Sequence, residues 1–232
     1  AHGPSLCATA IRVKDSAKAL ERAVAYKGQP YRGLVGPNEL ELAAVRAPDG
    51  SLIYLVDPAE GALYDTDFNL QPATASSGGL LRIDHMAMAL PADSLDSWVL
   101  FYKSLLDFEA DDEVVLPDPY GLVKSRALRS RCSSIRLPLN ISENRNTAIS
   151  HALSSYRGSG VHHIAFDCAD IFAEVSRAKA AGVPLLDIPL NYYDDLAARF
   201  DFDDEFLSEL AYYNVLYDRD AQGLSLIHIS EP

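Results

Sequence analysis

The chain is short of sulfur and of positive charge. Cys7, Cys132 and Cys168 are its three cysteines; they are odd in number, far apart and in no CxxC pair. That excludes a disulfide framework or a zinc knuckle, and the three are expected as buried thiols of a reducing cytoplasm. Lys and Arg number 20 against 33 Asp and Glu, a formal net charge of −13. So few cations cannot match rows of phosphates, which argues against nucleic acid and against an anionic membrane surface. No apolar run approaches the roughly 18 residues of a membrane span. The opening AHGPSLCATAIRV carries no basic region ahead of an apolar stretch, so no signal peptide is visible. Missing too are a GxSxG elbow, a P-loop and a GxGxxG after a strand. What remains is 48% hydrophobic and 23% charged, the mix of a globular chain able to bury a core.

Within that chain one plan recurs: an alternating apolar strand, a short acidic turn and an amphipathic helix. It begins at Leu6 (LCATAIRV), at Ile83 (IDHMAMAL) and at Val161 (VHHIAFDC). Asp15, Asp93 and Asp170 stand where helix N-caps are expected. Further strands follow each helix: ELELAAVRA and SLIYLVD in the first unit, DEVVLP, GLVKSRALR and SSIRLPLN in the second. Each unit therefore reads β-α-β-β-β, an α+β fold in which paired units close into half-barrel sheets. The helix NTAISHALSSYRG joins the second unit to the third, which inserts NYYDDLAARF and DDEFLSELAYY before NVLYD. Residues 58–79, rich in Ala, Ser, Gly and Asp, read as a linker.

Aligning the second and third strands sets His85 over His163, 78 residues apart. Strand alternation points both imidazoles into one shared cavity, beside Ala87, Ala89, Ala165 and Asp167. Two converging imidazoles make two-thirds of a 2-His-1-carboxylate site for Fe(II) or another divalent metal. The alternative is a pair of histidines that recur only because the units are duplicated. His162 is expected on the opposite strand face, and His151 exposed on the connecting helix. Ser104, Ser125 and Cys132 lack a nearby base and are not nucleophiles. Of the possible third ligands, Asp194, Asp195, Asp203, Asp204 and Glu205 read as a solvated helical face, and Asp218 and Asp220 as turn residues. The third ligand is expected past the end of this chain.

IDHMAMAL, IRLPLN, SGVHHIAF, NYYDDLAAR and NVLYDRDAQG, in that order, resemble the vicinal-oxygen-chelate dioxygenases of the 4-hydroxyphenylpyruvate dioxygenase type. Closer still is the resemblance to the C-terminal part of bacterial proteins that join a 3-dehydroshikimate dehydratase barrel to such a dioxygenase-like half. The resemblance implies that His85 and His163 are the iron-binding histidines and that Ser125 and Asn140 contact substrate. Family glutamines fall at Ala148 and His162, which removes two polar contacts of about 1–3 kcal/mol each and puts 4-hydroxyphenylpyruvate itself in doubt. It further implies a non-haem Fe(II) dioxygenase-like domain that oxidises a 2-oxo acid or aromatic substrate with O2. Such a domain would be cytoplasmic, homo-oligomeric and fused to a dehydratase barrel. A non-catalytic or redirected metal-binding half that supports the dehydratase is the second reading, and a small-molecule binding or resistance module without redox chemistry the third.

On this view residues 1–57 are the second βαβββ unit of a metal-free N-terminal domain. Residues 80–223 are the metal-binding domain, one full unit plus a truncated one. The final LSLIHISEP, residues 224–232, reads as an adapter-derived scar. The chain as a whole reads as a fragment, inactive as it stands.

Overall fold

A computed structural model describes residues 5–58, 63–69, 78–220 and 223–227. The described residues fall into two compact units, one drawn from 1–74 and 83–165, the other from 75–82 and 166–232.

The first unit begins with β1 (Ala8–Arg12), α1 (Ser16–Ala25), β2 (Gln29–Tyr31), β3 (Ala43–Arg46) and β4 (Leu52–Val56). The Asp15 carboxylate accepts from Lys18 N at 2.9 Å and starts α1, as the capping position predicts. The strands order β1-β4-β3-β2, with β1 and β4 parallel. β2, built around Pro30 at the sheet edge, has no counterpart among the strands read from the pattern. The expected linker contains a short helix, α2 (Leu63–Asp67), whose Asp67 carboxylate accepts from Leu40 N; residues 59–62 and 70–77 of it lie outside the described residues.

The plan then repeats with β5 (Leu80–Ala89), α3 (Leu95–Leu106), β6 (Glu109–Ala110), β7 (Val114–Asp118), β8 (Gly121–Arg129) and β9 (Arg136–Ile141). α4 (Ala148–Tyr156) leads on to β10 (Gly160–Cys168). The sheet runs β10-β5-β9-β8-β6, with β7 also on β8. β6 is a short addition to the expected strands. The N-cap of α3 is Ser94 rather than Asp93, and it makes no side-chain cap bond. Its buried residues Leu95, Trp98, Val99, Tyr102 and Leu105 recur at helical spacing. They pack on Met88, Leu128, Leu137 and Leu139 of the sheet and share one core with Ile11, Val45, Ile53 and Leu55. Gly28 lies where α1 meets α3: a Cβ there would stand 2.7 Å from Leu105 Cδ2 and 2.9 Å from Ala23 O, so only glycine fits.

The second compact unit holds α5 (Ile171–Ala180), α6 (Leu190–Arg199), α7 (Asp204–Tyr213), β11 (Leu216–Asp220) and β12 (Gly223–Ile227). Its core gathers Val175, Tyr193, Leu196, Leu210, Val215 and Tyr217. Asp170 and Asp203 cap α5 and α7 through their carboxylates. Asp218 and Asp220, read as turn residues, belong to the β11 ladder instead. The segment read as an adapter scar falls partly on β12, which pairs antiparallel with β11, and partly on residues outside the description. A short apolar alternation pairs with a neighbouring strand whatever its origin.

The expectation of buried thiols fails. Cys7 and Cys132 are exposed and Cys168 is half-buried. Cys132 sits in the β8–β9 turn, 3.4 Å from Ser130 Oγ, and hydrogen bonds from Ser130 and Ser134 bring its pKa down to about 7. Exposed polar turns hold small side chains of any kind, so the composition alone could not place it inside.

Candidate metal centre

The sheet of β5, β9 and β8 has two faces, and the register sorts the residues between them. Met88 pairs with Leu139 on the face that α3 covers. On the opposite face Ala89 pairs with Asn140, and Asn140 with Ser125, in one row across three strands. Alternation along β5 puts His85 and Ala87 on the face of Ala89. α4 closes the inner end of that face, where Ile149, Ala152 and Leu153 pack on Ala89 and Val123.

Ser125 and Asn140 are buried, 6% and 7% exposed. Yet neither side chain takes a hydrogen bond from another described residue. Their polar atoms are not wholly enclosed: among the described residues the Tyr193 hydroxyl is the one side-chain polar atom both fully buried and without a partner. This row therefore remains open to a polar atom from outside the protein.

His85 and His163 do come together. Their rings meet edge to face with centroids 5.5 Å apart. Asp84 Oδ2 lies 2.7 Å from His85 Nδ1, and Arg136 Nη1 holds the other oxygen of that carboxylate at 3.3 Å. A carboxylate can only accept, so His85 Nδ1 donates, which leaves Nε2 as the nitrogen available to a metal.

The expectation for His162 is overturned. Its Nδ1 lies 2.9 Å from His163 Nδ1, with ring centroids 5.1 Å apart. β10 is the edge of its sheet, but Asp84 and His85 make the like contact on the interior strand β5, so the edge position is not what brings adjacent side chains together. Desolvation, then the neighbouring His162 and His85 rings, lowers the His163 pKa to about 4; desolvation also lowers that of His162. Both rings are therefore neutral near pH 7, as ligation requires.

A cavity of about 310 Å³ opens beside His85, lined by apolar residues that include Leu6, Ala8, Ile11 and Ile83 and by Asp84 and Arg136. His163, Ser125 and Asn140 do not line it, so this cavity is not the shared one expected for His85 and His163. Among the described residues no group of three His, Cys, Asp or Glu side chains is placed to hold a metal. The acidic residues of α6 and α7 are exposed, as the amphipathic pattern predicts, and His151 is exposed on α4. Ala148 opens α4 on the surface, its N–H donating to Asp118 Oδ2 at 3.1 Å. Sequence reasoning missed Asp84; the sign available was its place immediately before His85, matching His162 before His163.

A paired-sheet fold with two histidines on equivalent first strands defines a class. The model of the Glyoxalase/Bleomycin resistance protein/Dioxygenase superfamily matches residues 82–209, more than half of the chain, and the chain belongs to that superfamily. The model of the N-terminal domain of hydroxyphenylpyruvate dioxygenase matches residues 1–69. More particularly, the chain is 79% identical over 235 residues to a 3-dehydroshikimate dehydratase of Pseudomonas putida, taking in 100% of this chain and 37% of that protein. It is 33% identical over 221 residues to a 4-hydroxyphenylpyruvate dioxygenase of Legionella pneumophila, across 95% of this chain and 63% of the relative. A solved xylose isomerase-like TIM barrel/4-hydroxyphenylpyruvate dioxygenase fusion protein superposes with a TM-score of 0.84 at 78% identity, over 100% of this chain and 37% of the other. The chain thus spans little more than a third of the fusion-type relatives. Among the described residues no helix is long and apolar enough to cross a membrane.

Proposed function

We propose that this chain is the dioxygenase-like part of a longer cytoplasmic fusion protein, and that His85 and His163 hold Fe(II) there for the oxidation of a 2-oxo acid by O2. The observation that carries the reading is the convergence of two imidazoles from equivalent strands, rings 5.5 Å apart. Two neutral nitrogen donors suit Fe(II) and neighbouring divalent ions. The third ligand is assigned to a carboxylate outside the described residues. Bound iron supplies the redox chemistry, and the protein supplies position. Asn140 and Ser125 offer a buried amide and hydroxyl to the polar end of a substrate, and α4 with Val123 and Ala89 excludes water behind them. Similarity to a 4-hydroxyphenylpyruvate dioxygenase supports the reaction class, and similarity to a dehydratase and to a barrel fusion supports the attached domain.

A second reading, a redirected metal-binding half, draws on the non-polar Ala148 at the start of α4 and on His162, which turns to His163. The two separate on oxygen uptake by the whole fusion protein, supplied with ferrous iron and a panel of arylpyruvates. Uptake that disappears in both His85→Ala and His163→Ala establishes the first reading. Stoichiometric iron retained without uptake, beside intact dehydratase activity, establishes the second. Iron binding unchanged in both alanine variants would end the ligand assignment.

A further inference from the structure

The two proposed ligands share a feature that their duplication does not require. In each, Nδ1 is engaged by the side chain of the residue immediately before it: Asp84 Oδ2 at 2.7 Å from His85, His162 Nδ1 at 2.9 Å from His163. We infer that Asp84 and His162 are positioning residues, each accepting from the Nδ1–H of the histidine that follows and so turning its Nε2 toward the facing ring. The inference rests on the ligand assignment above.

The two supports are unlike in chemistry. Asp84 is a carboxylate, itself tied by Arg136 at 3.3 Å. Its charge favours the Nδ1–H tautomer of His85 and makes Nε2 a stronger donor. His162 is a neutral ring and can accept only through an Nδ1 that carries no proton, so its own proton must sit on Nε2. His85 is therefore the firmly held ligand and His163 the adjustable one. Adjacent strand residues ordinarily point to opposite faces, so neither pair follows from the strand geometry alone. His162 supplies to its neighbour the acceptor that Asp84 supplies on the other strand.

Anaerobic titration of the whole protein with Co(II), read by its visible absorption, separates this inference from the reading beneath it. Asp84→Ala and His162→Ala are expected to weaken Co(II) binding by about 10- to 100-fold, the usual range for loss of such a support. Asp84→Asn and His162→Gln each restore an acceptor and are expected to stay within about threefold of the parent. The metal-free unfolding midpoints of all four should stay near the parent's, which a purely structural role would not allow for the alanine variants. If His85→Ala and His163→Ala lose Co(II) while Asp84→Ala and His162→Ala bind as the parent does, the positioning role is overturned and the ligand assignment stands. If the parent takes no Co(II), or the two ligand variants bind it unchanged, both fall together.

Discussion

The first and second βαβββ units carry the same strand order and pack into one core, yet only the second carries candidate chemistry. On the face turned to the helices they are alike: Ile11, Val45, Ile53 and Leu55 in one, Met88, Leu128, Leu137 and Leu139 in the other. On the opposite face they part. The first unit sets Ala10 against Tyr54 and Ala44. The second sets Ala89 against Asn140 and Ser125, with His85 on the same side of β5. One side of each sheet specifies the fold, and the other is free to hold a site or not.

The sharpest way to break that comparison is to cut into the shared side. Trp98 is 2% exposed and stacks on Tyr102, so Trp98→Ala is expected to cost about 3–5 kcal/mol in denaturant unfolding. Leu55→Ala and Leu139→Ala, one from each unit and both fully buried, should cost about 2–5 kcal/mol each and lower one common transition. Separate transitions for the two would show that the units fold apart. The other side is expected to respond weakly: Ser125→Val and Asn140→Leu should shift stability by about 1 kcal/mol at most, because neither side chain loses a protein partner. A larger loss would mark them as structural.

The smallest contrast concerns the helix starts. Asp15→Ala should lower stability by removing a helix cap, and Ser94→Ala should lower it less. Ser94 caps nothing and loses only the hydrogen bond its hydroxyl donates to Pro91 O at 2.8 Å. The Lys18 side-chain hydrogen bond holds the Asp15 carboxyl below its ordinary value. A carboxyl lowered on folding stabilises above its unfolded pKa and ceases to as pH falls through the folded one. The deficit of Asp15→Ala should therefore be present at neutral pH and fade in acid, which unfolding measured from pH 7 to pH 2 would show.

Much of the second unit was legible because its strands alternate and its helix repeats every third or fourth residue. The pairing of His85 with His163 followed from duplication, which sets equivalent residues in equivalent places. What could not be read were features decided between side chains. His162 meets His163, and Asp84 meets His85, through side chains of adjacent residues that strand alternation assigns to opposite faces. β2 escaped notice because three residues around a proline leave no alternation to detect. Cys132 was misplaced because a thiol in a serine-rich turn has the composition of either environment.

Along β5 exposure falls steadily, from an open end at Leu80 to a sealed one at Ala89. His85 stands midway and the Asn140–Ser125 row at the bottom. Four residues of strand separate them, about 13 Å at roughly 3.3 Å per residue. The strand is in effect a ruler. It grades access to solvent: a group set at His85 still meets water, and one set at Ala89 meets only protein.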